Sequence, residues 1–389
     1  MPPRKVLFVH TTSEVGGSDV SLVHIVERLD RARFQPLVAL PSHGPLVARL
    51  ERSGAEVFVL PRMKKLTSRK GRAWLAVFAA NYPVGAWSLA SLIRRHRVDL
   101  VHTNTIHNLY GWAAATIARR PHVWHVREIV WQSAALRTIE RALASAFSSR
   151  VIVTSDAVGQ MFERHGALPS HVTKIENGVD TVRFSPGGAG RIRSELGIAP
   201  GAMVVGAAAR MDVWKGLEDF IEAAALVHGR RPDIRFVIAG GPIEGLEDYA
   251  AGLRALAVTR GLGGALIFTG WTYGPDAMPD FYRALDLFVL PSREAEPFGL
   301  VVLEAMASAK PVIATAHGGP LEIVASGETG VLVAPHDPQA MAAAILALAA
   351  NPERARAMGA AGRARVAERY DISTTVTRLQ TVYDEVLAG

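Results

Sequence analysis

Short apolar runs alternate with longer helix-like runs along all 389 residues of this chain, and that alternation is the signature of parallel sheets covered by helices. Strands are predicted at 5–11, 35–40, 56–60, 99–103, 122–126, 150–155 and 172–177, then at 203–210, 235–240, 265–270, 285–292, 311–315 and 330–334. Two doubly wound α/β units in tandem follow from this pattern. Between them "NGVDTVRFSPGGAG" carries the Gly, Pro and Asn of a linker, which puts the boundary near 180–190. The expected organisation is an N-terminal domain over 1–182, a C-terminal domain over 190–370, and a last helix in 371–389 that returns to the N-terminal domain. A content of 49% hydrophobic and 20% charged residues suits two packed domains.

In doubly wound sheets ligands lie beyond the carboxyl ends of the strands. Those positions are polar here: Gly16 and Gly17, His102 and Asn104, His125 with Arg127 and Glu128, Ser155, Arg210 with Lys215, the glycines of "GGP" at 240–242, and Glu296. Two such rims facing each other would form a cleft between the domains.

Several function classes are disfavoured. The chain has no cysteine, so disulfides and thiol chemistry are excluded. "MPPRKVLFVHTT" runs from basic residues straight into a strand without the apolar core of a signal peptide, and a cytoplasmic location is expected. Residues 73–93 are uncharged, but Asn81, Pro83 and Gly85 interrupt them, so core helices broken at Pro83 are predicted rather than a membrane span. Net charge is +7, yet residues 1–180 hold 24 Lys and Arg against 13 Asp and Glu, leaving 19 against 23 in the remainder. Six cations crowd "PRMKKLTSRKGR" at 61–72, just before Trp74, Phe78, Tyr82 and Trp87. That composition suits either a peripheral attachment of 61–87 to an anionic membrane or a solvated loop. No nucleic-acid-binding motif accompanies the high charge, and no nucleic-acid partner is expected.

The candidate chemistry centres on "REAEPFGLVVLEAMA" at 293–307. Glu296 falls at a strand-to-helix turn and Glu304 lies further into the helix. At about 1.5 Å per helical residue they stand roughly 10–12 Å apart, too far for the carboxylate pair of a glycoside hydrolase at about 5–9.5 Å, and suited to two ends of a long ligand. "ARMDVWKG" sets Arg210 at a strand end and Lys215 at a helix start, a seat for a diphosphate. The amides of Phe298, Gly299 and Leu300 open a second helix. "TTSEVGGSDV" does not fit G-x-G-x-x-G, which disfavours a nicotinamide cofactor, and neither G-x-S-x-G nor a metal-ligand spacing occurs.

With those residues in view, "ARMDVWKG", "AGGP", "IFTGW", "LFVLPSREAEPFGLVVLEAMASAKPVIAT", "GGPLEIV", "GETGVLV" and "NGVDTVRFSP" resemble the pattern of family 4 retaining glycosyltransferases of the GT-B fold. The resemblance covers the second half closely and the first more loosely. It implies two Rossmann-like domains facing across a cleft, the first binding the acceptor and the second a nucleoside diphosphate sugar. It also implies retention at the anomeric carbon, with no cofactor and no essential metal. By that resemblance Arg210 and Lys215 grip the diphosphate, Glu296 bonds the transferred sugar, Glu304 holds the ribose, and His125 reaches the donor sugar. Gly17, Gly241, Gly270, Phe298, Gly299 and Leu300 would line the donor, and Gly16, His102, Asn104, Arg127 and Glu128 the acceptor side. The acceptor would be a glycan or lipid-linked hydroxyl, or alternatively a soluble small molecule. A nucleotide-sugar 2-epimerase and a non-catalytic nucleotide-sugar binder are the competing readings. The chain departs from the pattern in "HVRE", where an Asp often neighbours the histidine, and at Ala309, where a glycine commonly closes the helix.

Overall fold

The computed structural model describes residues 2–14, 16–64, 71–130, 134–188 and 192–389, apart from the side chains of 71, 72 and 75. Lys65, Arg69 and Lys70 of the basic segment therefore lie outside the described residues. The chain forms two compact units, Met1–Asn177 with Ile372–Gly389, and Gly178–Asp371.

The first unit is built on seven parallel strands, β1 (Arg4–Val9), β2 (Phe34–Leu40), β3 (Glu56–Val59), β4 (Leu100–Thr103), β5 (His122–Val126), β6 (Arg150–Val153) and β7 (Val172–Lys174). Their order is β3-β2-β1-β4-β5-β6-β7. Alternate side chains feed cores on opposite faces: Val6 and Phe8 pack with the helix Gly17–Arg28 and the last helix, Ile372–Ala388, while Leu7 and Val9 pack with the helix Gly71–Arg95. Because both faces are covered, the strands read as continuous apolar runs rather than alternating ones.

The second unit repeats the scheme with β8 (Val204–Ala208), β9 (Arg235–Ala239), β10 (Leu266–Gly270), β11 (Leu287–Leu290), β12 (Val312–Thr315) and β13 (Gly330–Val333), in the order β10-β9-β8-β11-β12-β13. The stretch read as a linker is packed in part: Val179 and Phe184 are buried in this unit's core, and the Val179 amide donates to the Tyr370 carbonyl at 2.9 Å.

Two local differences have clear causes. Strand β6 ends before its predicted limit because Ser155 turns to cap the next helix, its Oγ accepting from the Val158 amide at 3.1 Å. Pro83 sits inside the single helix Gly71–Arg95 instead of breaking it. The carbonyl left without a donor belongs to Ala79, and Ala79 and Pro83 are both exposed, so water satisfies what the proline cannot.

Candidate functional site

In each unit the strand order reverses at one point, between β1 and β4 and between β8 and β11, and the polar residues gather just past those strand ends. In the second unit the chain leaves β8 at Ala208, passes the exposed Arg210, and makes a short turn of 3₁₀ helix at Val213–Lys215. Gly216 then opens the helix Leu217–His228 with φ +64°, and a Cβ there would run into the Pro291 carbonyl at the end of β11. That close approach brings the two strand ends together. Lys215 Nζ reaches Glu296 Oε1 at 2.6 Å, with side chains only 14% and 5% exposed, and lies 3.9 Å from the centre of the Trp214 ring. Ser292 Oγ donates to the same carboxylate oxygen at 2.5 Å, and Thr315 Oγ1 donates to the Ser292 carbonyl at 2.8 Å. The Glu296 backbone is gripped from the other side: the Gly319 amide donates to its carbonyl at 2.8 Å, and Gly318, at φ +73°, has no room for a Cβ against it.

Three residues on, Gly299 adopts φ +103° at the start of the helix Leu300–Ala307. Among the described residues none accepts a hydrogen bond from the amides of Phe298, Gly299 or Leu300. These amides, beside an ammonium that uses one of its three N–H bonds on Glu296, make an anion-binding corner. Glu304 is oriented by Tyr282, whose hydroxyl donates to Oε2 at 2.7 Å. Gly241 lies under the half-exposed Trp271 ring, whose Nε1 donates to the Pro242 carbonyl at 3.0 Å, and Gly270 turns the chain there at φ +59°. Among the described residues Arg210 makes no ion pair, and no hydrogen bond to Lys215 or Glu296. No group of three or more His, Asp and Glu is placed to hold a metal among the described residues.

In the first unit the predicted residues join into a buried relay. Arg127, 7% exposed, donates from Nε to Asn104 Oδ1 at 3.0 Å, from Nη1 to Ser21 Oγ at 2.9 Å and Asn177 Oδ1 at 2.5 Å, and from Nη2 to His125 Nδ1 at 3.3 Å. Four of its five N–H groups thus serve the protein itself. Because Asn104 Oδ1 accepts from the arginine, its Nδ2 donates to His10 Nδ1 at 3.3 Å, across the gap between β4 and β1. His10 then carries its proton on Nε2, which bonds Asp19 Oδ1. Asp19 also receives Thr12 Oγ1 at 2.8 Å and the Gly16 amide at 2.6 Å, one position before Gly17 begins its helix. Burial alone would raise the Asp19 carboxyl, but these bonds hold it below the usual range. Glu128 accepts from the Ile106 and Arg127 amides, pinning its own loop.

An arginine can only donate, so His125 Nδ1 accepts and the neutral ring bears its proton on Nε2. Nε2 is buried and has no partner among the described residues. Burial, the Arg127 charge and His102 push the His125 pKa well below the ordinary value, and burial and Arg127 do the same to His102. Burial brings Arg127 itself down to about 10, still charged at neutral pH. His102 Nδ1 pairs with the Tyr383 hydroxyl of the last helix at 2.8 Å. His102, Asn104 and Arg127 are therefore buried, Arg127 bonded to Asn104 and His102 to Tyr383, rather than presented outward. His10, Asp19, Ser21, Asn177 and Tyr383 were not singled out in the sequence; Gly16 three residues before Asp19 at a helix start was the available sign that Asp19 caps the first turn of that helix.

Residues 189–365 match the family described as Glycosyl transferases group 1, and residues 15–183 match Glycosyltransferase Family 4. The D-inositol 3-phosphate glycosyltransferase of Acidothermus cellulolyticus is 31% identical over 81% of this chain and 68% of its own length. The chain is a family 4 glycosyltransferase. D-inositol 3-phosphate glycosyltransferase 1 of Catenulispora acidiphila is 36% identical to this transferase over 64% of the chain, a span of 60% of that relative. The crystal structure of Anabaena HepE in complex with UDP and glucose superposes on the transferase with a TM-score of 0.85 at 27% identity, covering 98% of this chain and 99% of HepE. The two parallel sheets are those of the GT-B fold.

Proposed function

We propose that this transferase moves a sugar from a uridine diphosphate sugar to a hydroxyl of a small phosphorylated polyol or sugar, with retention at the anomeric carbon. The observation that carries the donor half is Lys215 bonded to Glu296, two residues before the three amides of 298–300 that have no acceptor among the described residues, which offers positive charge next to a carboxylate able to accept sugar hydroxyls. A relative seen with UDP and glucose supports the nucleotide. For the acceptor, the names of the two similar D-inositol 3-phosphate glycosyltransferases favour a small phosphorylated molecule over a lipid-linked glycan, and the excess of 24 cations over 13 acids in residues 1–180 suits an anionic one.

In this reaction the acceptor oxygen attacks the anomeric carbon as the bond from that carbon to the diphosphate breaks, and the acceptor proton passes to a departing phosphate oxygen. Lys215, Arg210 and the amides of Phe298, Gly299 and Leu300 meet the charge growing on the leaving group, the task a metal performs elsewhere. Glu296 orients the transferred sugar, Glu304 holds the ribose, and Gly241 and Gly270 lie toward the base. The cytoplasm is the proposed location.

The test is to incubate the enzyme with UDP-, GDP- and dTDP-sugars, with and without inositol phosphates and hexose phosphates, with and without a chelator. UDP release rising about tenfold or more with a phosphorylated acceptor, unchanged by chelation, and a product of unaltered anomeric configuration by NMR are expected. Release indifferent to every phosphorylated acceptor removes the acceptor class; an inverted product removes retention; an epimerised donor or no turnover points to the competing readings.

A further inference from the structure

The helix Gly71–Arg95 has one face in the core, through Phe78, Ala86, Leu89, Ala90 and Ile93, packed against the helix Tyr110–Ala118. Its opposite face is apolar too and is uncovered. Val77, Val84 and Trp87 are 41%, 50% and 59% exposed, and their spacing of seven and three residues sets them along a single stripe. Segment Ala76–Arg95 is apolar and long enough to cross a membrane, yet only 33% of its most apolar window is buried. At the far end of the stripe the Arg94 guanidinium lies 5.7 Å from the Trp87 ring centre while also donating to the Ile117 carbonyl at 2.5 Å.

The charge around this stripe selects what covers it. Between Glu56 and Asp99 the sequence has no acidic residue and nine Lys and Arg, at 62, 64, 65, 69, 70, 72, 94, 95 and 97. A second copy of the chain would bring two such cationic surfaces together and repel. We propose that this face docks the enzyme peripherally on an anionic lipid surface, the Val77–Val84–Trp87 stripe entering the headgroup region while the described cations Arg62, Lys64, Arg94, Arg95 and Arg97, which precede and follow it in the sequence, meet lipid charge. The helix lies on the membrane and does not span it, because its other face belongs to the core of the first unit. Docking of this kind is independent of the acceptor's identity.

The intact enzyme is sedimented with vesicles of phosphatidylcholine alone and with about one-third phosphatidylglycerol, at low and at about 0.5 M salt. Binding about tenfold or more stronger to the anionic vesicles, reversed by salt, is expected, since each cation near the surface contributes about fivefold. Val84→Asp and Trp87→Glu should each abolish binding while activity on a soluble acceptor stays within about twofold, which also verifies folding. Equal partitioning to both vesicles, salt-indifferent binding, or retention of binding by both variants overturns the proposal. So does a dimer in sedimentation velocity that Trp87→Glu dissociates, which would make the face a self-association surface.

Discussion

Replacing Lys215 by Met keeps the length of the side chain and removes its charge, and the structure sets two separate costs. At 2.6 Å the Lys215–Glu296 pair has a gross attraction of about 6 kcal/mol for an effective dielectric near 20. Most of that offsets desolvation, but removing one partner leaves Glu296, 5% exposed, without its counter-charge, a change that costs roughly 3–5 kcal/mol. Lys215→Met should therefore lower the urea stability of the second unit by about 3 kcal/mol, and Lys215→Met with Glu296→Gln should recover most of it. Activity should behave differently. If the ammonium meets charge on the departing diphosphate, kcat for acceptor-dependent UDP release falls about 10²–10³-fold in the single variant and stays low in the double variant. A single variant with kcat within threefold of the parent (about 0.7 kcal/mol) refutes the diphosphate role. A double variant no more stable than the single one refutes the account of Glu296 as a charge balanced by Lys215.

Three further outcomes are expected. His102, His122 and His125 are buried with pKa values pushed below the ordinary 6.5, His122 to about 3, so the unfolded chain binds more protons than the folded one below pH 6.5; stability is full above that pH and falls beneath it, by about 4 kcal/mol at pH 5.5 for three such groups, read as a drop in urea midpoint. Ala309 sits at φ +56°, where a side chain is strained, and Ala309→Gly should raise stability by about 1 kcal/mol with unchanged kinetics. Tyr282→Phe removes the hydroxyl that orients Glu304, and should raise donor KM about three- to tenfold with kcat nearly constant, whereas an effect on kcat alone would place Glu304 at the reacting sugar.

The strands were legible because burial on both faces writes each as an unbroken apolar run, and the Lys215–Glu296 site was legible because its members follow strand ends within recognisable local motifs. The relay in the first unit was not. His10 and Asn104 meet only because β1 and β4 are neighbours, a pairing across 94 residues that periodicity along the chain does not encode. Tyr383 reaches His102 over 281 residues, from a helix whose own pattern reads as an ordinary amphipathic one. Pro83 misled for the opposite reason: the local rule that proline breaks helices is relaxed when the orphaned carbonyl faces water, and exposure is a property of the packed structure.

The last helix has a consequence for how the chain is made. The first unit's sheet is synthesised early, but Leu379 and Tyr383, both fully buried in its core, are translated only after the whole second unit. Until they arrive, the apolar face that Val376, Leu379 and Tyr383 cover stays bare and His102 Nδ1 lacks its hydroxyl. The second unit, whose residues Gly178–Asp371 are all contiguous, can close while the first still lacks its final helix, so the second unit is expected to mature on the ribosome ahead of the first. A stop codon directly after Asp371 would leave the second unit entire and strand the first half-built, a defect to be seen as chaperone dependence and proteolysis confined to residues 1–177.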